Sequence, residues 1–426
     1  MNISIANTHT QGGAAAACLR LRNGLIQQGC SVRLVTRGLL PDEPDKVIDC
    51  RKFTLRRTQA DRVRNWIRIR LLEKRRSVLN RPGNIEQCSF PESYFDLAAA
   101  IQSQPCDIIN LHWVSGMLDY PSFFQKLELP VVWTLHDMNA FMGYEHFVEQ
   151  VSDLDAQGKF VYYRPSSKEM DLNKRLVESK QRWVSKAKNL TVVTPSKWLE
   201  SEAARSPVFA DRCIHTIPYG LDTQVYCRND SAEAKQLLGL DPQRKQLLFV
   251  SDNVKKARKG GVALLHALSG LKHLDQIELM VVGGHFPSNA ITGLQIRNMG
   301  SVNDDHLMSM LYNAADAFVL PSLVDNLPNT MLESLACGTP VIAFAIGGVP
   351  DAVKDFQNGI LCESVTTESL RSTIQEFLDG AGSFDRERIA SDAAKHYALE
   401  IQATRYQSLF REVLLSHSAP IHRSCR

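Results

Sequence analysis

The 426-residue sequence predicts an α/β protein of two doubly wound, Rossmann-like domains facing each other across a cleft. Three observations carry this reading. Short β-rich runs alternate with longer stretches of helical periodicity, the pattern of βα units and parallel sheets. Two such series follow one another along the chain. The length also exceeds what one compact core holds and suits two domains of roughly 200 residues each.

The first series of strands is expected at Asn2–Ala6, Ser31–Thr36, Asp107–His112, Val131–His136 and Leu190–Thr194. Several are near-continuous apolar runs, as strands covered by helices on both faces require. The second series is expected at Gln246–Ser251, Ile277–Gly283, Ile296–Gly300, Ala317–Pro321 and Pro340–Phe344. Between the two, Ile217-Pro218-Tyr219-Gly220-Leu221-Asp222 ends a strand in turn residues. That places a first Rossmann-like domain at 1–218, a second at 219–395 and a final segment at 396–426. Tyr397, Ile401, Tyr406, Leu409 and Phe410 recur at helical spacing, so the final segment is predicted to be a helix returning to the first domain. Residues at about 51–90 and 138–182 interrupt the pattern. The second interruption is polar and is expected to be an irregular lid or acceptor loop.

A net charge of +3 gives no overall affinity for nucleic acid. Ten cysteines without a C-x-x-C pair argue against a disulfide framework or a structural zinc site, and for reduced thiols in the cytoplasm. The chain opens directly on a strand, so no signal peptide is expected. No apolar run reaches the ~18 residues of a membrane span. Residues 51–81 are different: twelve Lys or Arg against two acids, interleaved with Trp66, Ile67, Ile69, Leu71, Leu72 and Leu79. This composition fits a peripheral helix on an anionic membrane face, and equally a solvated insertion with a small apolar stripe.

The residues that point to chemistry lie from Val319 to Ile342, VLPSLVDNLPNTMLESLACGTPVI. A strand ends at Pro321-Ser322, a loop runs from Asp325 through Asn326 and Leu327 to Pro328, and a helix begins near Asn329 as N-cap, followed by Thr330, and stops at Gly338. Free N–H groups at such a helix start form an anion site suited to a diphosphate. Asp325 and Glu333 are placed to accept hydrogen bonds from sugar hydroxyls. Three further segments fit a ligand cleft. Gly12 and Gly13 follow the first strand and let backbone approach a ligand. His136 ends the fourth strand, with Asp137 as the partner that fixes its tautomer and His112 as a second cleft residue. Lys255, Arg258 and Lys259 follow the first strand of the second domain, where cations neutralise a leaving diphosphate.

The Asp325-to-Ile342 stretch resembles the signature of glycosyltransferase family 4, retaining enzymes of the GT-B fold. The form Val-Asp-Asn-Leu-Pro is similar to members acting in bacterial exopolysaccharide assembly, including the colanic-acid type. The resemblance implies that Asp325 contacts the donor hexose and Glu333 the nucleotide ribose. It implies that His136 is the active-site histidine, that Gly12 and Gly13 face the donor phosphate, and that Val302 belongs to the base-binding loop. It implies a nucleotide-sugar donor, a glycan or lipid-linked acceptor, and no cofactor or metal. The family's Gly-Arg is replaced here by Ser251-Asp252, while its Lys-Gly is present as Lys259-Gly260. Arg258 or Lys255 then supplies the second cation, or Lys259 acts alone. A sugar-nucleotide 2-epimerase and a non-catalytic nucleotide-sugar-binding subunit are the other readings of the same fold.

Overall fold

A computed structural model describes residues 1–38, 46–55, 59–79, 81–83, 85–86, 88–148, 150–251, 253–254, 256–381 and 383–418. The strands of the first half are β1 (Asn2–Ala6), β2 (Ser31–Thr36), β3 (Val47–Asp49), β4 (Ile108–Leu111), β5 (Val131–Thr134), β6 (Val151–Leu154), β7 (Phe160–Tyr162), β8 (Leu190–Thr194) and β9 (Ile214–Thr216). Those of the second half are β10 (Lys245–Val250), β11 (Ile277–Val282), β12 (Gln295–Gly300), β13 (Ala317–Leu320), β14 (Val341–Phe344) and β15 (Gly359–Cys362).

All but β6 and β7 form two parallel sheets, in the orders β3-β2-β1-β4-β5-β8-β9 and β12-β11-β10-β13-β14-β15. In each, the strand order reverses beside the first strand of the domain, the switch point at which α/β sheets bind ligands. Helices cover both faces. Ile5, Leu34 and Val132 pack on one side of the first sheet and Ala6, Ile109 and Trp133 on the other. The predicted two-domain α/β architecture is present. The central strands end earlier than their apolar runs suggest, so that His112 and His136 lie in loops above the sheet. The short strands β3 and β15 carry too few residues to show an alternating pattern, and the sequence did not mark them; β9 is the strand expected to end at Ile217.

The 138–182 insertion is not irregular. It contains the antiparallel hairpin β6–β7 and a helix, Ser167–Val184, closed by a capping box between Ser166 and Glu169. The hairpin docks on the second domain: Thr367 donates to the Gly158 carbonyl at 3.0 Å, and Phe160 packs edge-on against Phe344. The helix stays on the first domain, where the buried Lys180 ammonium donates to the carbonyls of Asn139 and Met142. One insertion therefore straps both domains together.

The terminal helix, Leu399–Ser418, returns to the first domain as predicted. Ala403, Tyr406, Leu409 and Phe410 share a core with Ile3, Ile5, Leu21 and Leu25. Among the described residues no helix is long and apolar enough to cross a membrane.

Candidate active site between the two sheets

The C-terminal ends of β1, β4 and β5 face those of β10 and β13 across a cavity of about 500 Å³. Gly12, Gly13, His136, Arg258, Lys259, Asp325, Asn326, Leu327, Asn329 and Thr330 all line it, scattered over more than three hundred positions of sequence. Glu333 and Val302 do not reach its wall. Val302 packs against the second-domain core instead. Lys255 lies outside the described residues.

The cation side of the cavity is built by a single turn, Ala257–Lys259, after β10. Gly260 follows with φ of 71°, and a Cβ there would collide with the Pro321 carbonyl, so only glycine lets this turn sit against the β13 loop. The Leu323 N–H donates to the Arg258 carbonyl at 2.8 Å and locks the two loops together. Gly347, with φ of 52°, makes an equally close approach to the Asp325 backbone.

Both cations converge on Asp325: Lys259 Nζ lies 2.9 Å and Arg258 Nη1 3.3 Å from its Oδ2. Burial alone would raise the Asp325 carboxyl, but Lys259, Arg258 and the Asn326 N–H hold it below the ordinary carboxylate value. Arg258 has a second anionic partner that sequence reasoning missed. Its Nε donates to Glu86 at 2.6 Å, and its guanidinium lies over the Phe147 ring. Glu86 and Phe147 come from the two insertions. Lone residues in variable-looking loops carry no periodic or motif signal, so only the folded chain could place them.

The helix after Asp325 runs Asn329–Ala336. Its N-cap is Pro328, not Asn329, and no side chain caps it. Asn329 is spent elsewhere: its amide donates to the Gly13 carbonyl at 2.8 Å, across the cleft. The helix starting at Gly13 likewise has glycine, Gly12, as an N-cap without a side-chain bond. Two helix starts with uncapped N–H groups therefore border one cavity.

His136 stands at the end of β5, but Asp137 is not its partner. Asp137 accepts from Trp113 Nε1 at 2.7 Å, from His146 Nδ1 at 2.6 Å and from the Asn139 N–H at 2.9 Å. The side chain of the residue after His136 points away along the loop, which turns it toward the 138–150 segment. His136 instead pairs with His112 and Tyr219. The tautomers follow from the acceptors available. Asn110 donates its Nδ2 to the Val132 carbonyl and to Thr134, so its Oδ1 accepts from His112 Nε2 at 2.9 Å. His112 Nδ1 then accepts from His136 Nε2 at 2.9 Å, and His136 Nδ1 accepts from the Tyr219 hydroxyl at 2.7 Å. Thr134 extends the chain of bonds to Tyr406 in the terminal helix. Burial lowers the His136 pKa to about 4, with Asp137 opposing weakly, so the ring is neutral near pH 7. Its backbone carbonyl accepts from Asn326, which in turn accepts from Ser196.

Glu333 lies beneath the cavity wall, where Arg20 Nη2 donates to it at 2.8 Å and Tyr312 at 3.1 Å. Arg20 sits on the helix Gly13–Gln27 of the first domain and was not singled out by sequence, because a lone arginine on an amphipathic helix reads as a surface residue. Asp153 and Asp155 belong to the β6–β7 hairpin and do not line the cavity. Among the described residues no cluster of three His, Cys, Asp or Glu is arranged to hold a metal ion.

Residues 11–225, just over half the chain, match the family model described as Glycosyltransferase Family 4. This chain belongs to glycosyltransferase family 4. A second model, described as Glycosyl transferases group 1, matches residues 244–380 of the same glycosyltransferase. It is 25% identical over 334 residues to a D-inositol 3-phosphate glycosyltransferase of Actinosynnema mirum, covering 74% of this chain and 73% of that one. With the enzyme of that name from Segniliparus rotundus it shares 23% identity over 394 residues, covering 89% and 76%. Among solved structures, sucrose-phosphate synthase from Thermosynechococcus elongatus superposes with a TM-score of 0.71 at 19% identity, covering 97% of this chain and 99% of that chain. Anabaena Alr3699/HepE in complex with UDP-glucose gives 0.65 at 16%, covering 97% and 100%. These likenesses show that the family 4 chain has the GT-B fold.

Proposed function

We propose that this glycosyltransferase transfers a hexose from a nucleotide-diphosphate sugar to a hydroxyl of a glycan or lipid-linked oligosaccharide, with retention at the anomeric carbon and without a metal ion. The observation that carries the reading is the convergence of Arg258 and Lys259 on one carboxylate beside two uncapped helix starts. Two cations and free N–H groups together balance a diphosphate, the task a divalent ion performs elsewhere. The UDP-glucose held by the Anabaena protein supports a donor of this class.

In the proposed reaction the bond from the anomeric carbon to the diphosphate oxygen breaks, and a bond to the acceptor oxygen forms on the same face. The acceptor proton passes to the departing diphosphate, giving a nucleoside diphosphate and a glycoside. Lys259 and Arg258 exchange their carboxylates for the diphosphate as charge builds on it. Asp325, released from Lys259, accepts from a hexose hydroxyl. Glu333, anchored by Arg20 and Tyr312, is the ribose acceptor. His136 acts by position, since its ring nitrogens are both bonded within the protein.

The acceptor side of the proposal includes an anionic membrane face. On the helix Gln59–Val78 the side chains of Val63, Trp66, Ile67 and Leu71 are exposed along one stripe, with Arg70 over the Trp66 ring. An apolar stripe edged by arginine fits the headgroup boundary of acidic lipids.

The test is release of nucleoside diphosphate from a panel of UDP-, GDP- and ADP-sugars in EDTA. Release from one donor, lost in Lys259→Ala, is expected. Release that requires a divalent ion would overturn the metal-free part, and silence toward every donor would overturn the donor reading.

A further inference from the structure

A second cavity, of about 450 Å³, lies at the C-terminal ends of β1 and β2. Its walls are His9, Thr10, Gln11, Arg37, Gly38 and Arg51. His9 and Gln11 also line the donor cavity, so the two spaces share a wall along the β1 loop.

The side chains here are those of an anion site. Arg37 rises from the end of β2, its guanidinium against the Phe95 ring. Its only polar contact among the described residues is a long one, 3.4 Å from Nη1 to the Gly116 carbonyl, and its buried Nε has no partner. A guanidinium that is part-buried and so poorly bonded is costly unless an anion completes it. Arg51 stands opposite, fixed by two bonds of 2.9 Å to Asp49, with about half of its side chain exposed. The frame is rigid: the Arg37 N–H and the Thr36 hydroxyl both donate to the Thr8 carbonyl, which ties the β1 loop to the end of β2. The local potential shows in His9, whose pKa is lowered by burial and then by Arg37.

We infer that this cavity is the acceptor's anion subsite, in which Arg37 and Arg51 hold a phosphate group while the acceptor's sugar hydroxyl reaches past His9 and Gln11 to the donor. The inference rests on the transferase reading for its geometry, and names a class of acceptor that reading leaves open: one bearing a phosphate. Arg37 supplies the part-buried, directional contact and Arg51 the more exposed one. Trp113, its ring 5.3 Å from the His9 ring, lines the donor cavity on the far side of that shared wall.

Calorimetric titration of the full chain tests this, in a mixture of UDP, GDP and ADP that blocks the donor diphosphate site. The probes are inorganic phosphate and, separately, vesicles of phosphatidylglycerol or of phosphatidylcholine. Wild type is expected to bind phosphate, or phosphatidylglycerol in preference to phosphatidylcholine, and Arg37→Gln and Arg51→Gln each to weaken that binding roughly tenfold. Binding of free phosphate assigns a soluble phosphorylated acceptor. Binding of phosphatidylglycerol vesicles alone, weakened in both Arg37→Gln and Arg51→Gln, assigns a lipid phosphate, whereas vesicle binding unchanged in the two variants belongs to the helix Gln59–Val78 and overturns the subsite. No binding by wild type, or unchanged binding in both variants, overturns the subsite. Arg51 is exposed enough that its variant folds even if Arg37→Gln does not. Phosphate binding is read without any donor, so a protein that binds phosphate yet releases no nucleotide would sink the transferase proposal and leave the anion subsite standing.

Discussion

The hydroxyl of Tyr219 lies 2.7 Å from Nδ1 of His136, and it occupies the one ring nitrogen that the bond to His112 leaves over. Tyr219 belongs to the segment that joins the two sheets, so the connector between domains also sets the orientation of the site histidine. Tyr219→Phe removes the donor and leaves a buried acceptor. It should destabilise the protein by about 1–2 kcal/mol and slow nucleotide release, while His136→Ala, which breaks both bonds, should slow it further. Thermal melts with nucleotide-release rates check this. A Tyr219→Phe enzyme with wild-type rate and midpoint would show that the bond does not position the ring.

The same burial has a pH consequence. His136 is held at about 4 in the folded chain against an ordinary 6.5, so between those values the unfolded chain binds more protons. Its contribution to stability is complete above pH 6.5 and is lost as pH falls toward 4, by about 3 kcal/mol at most. His112, also lowered by burial and by His136, acts in the same direction. Denaturation midpoints measured from pH 7 down to pH 4 should fall, and His136→Asn should flatten the fall.

Glu86 and the donor diphosphate compete for Arg258 in the proposed reaction. Glu86→Gln should therefore tighten nucleoside diphosphate binding about three- to tenfold, whereas Lys259→Ala should lower kcat about a hundredfold. Titration calorimetry and turnover assays separate the two. Weaker binding in Glu86→Gln would mean that the carboxylate supports the site instead of blocking it.

Arg20 and Glu333 pair across the two domains with little exposure, 13% and 8% of each side chain. Arg20→Met leaves the carboxylate buried without its cation and should cost about 3 kcal/mol. Glu333→Gln keeps acceptor capacity for Arg20 and should cost less. Urea unfolding of both variants measures the difference, and equal costs would show that the charge pair matters less than its hydrogen bonds.

The exposed stripe on the helix Gln59–Val78 gives an outcome that needs no substrate. Trp66→Ser with Ile67→Ser should abolish sedimentation with phosphatidylglycerol vesicles and leave the melting midpoint within about 1 °C, since both side chains are already exposed. Equal partitioning of wild type and variant would remove the membrane from the proposal.

Much of this was legible before folding. Continuous apolar runs mark the buried parallel strands, because a strand covered on both faces has no polar side to show. The Asp325-to-Ile342 stretch was legible because a strand, a turn and a helix start are coded by neighbouring residues. The returning helix could be read from Tyr406, Leu409 and Phe410, whose spacing needs a partner surface. The short strands β3 and β15, the docked hairpin and Pro328 as N-cap were not, since each depends on what lies beside it in space.

By itself, then, the sequence determined the two α/β layers, the positions of Asp325, Lys259 and His136 near strand ends, and the family they resemble. These are local matters of periodicity and motif. Tertiary structure alone decided the partners: Glu86 on Arg258, Arg20 on Glu333, Tyr219 and His112 on His136, and His146 on Asp137. Four of these pairs bring together side chains from separate parts of the fold and the fifth, His146 on Asp137, closes a long loop; no periodicity along the chain encodes the distance between any of them.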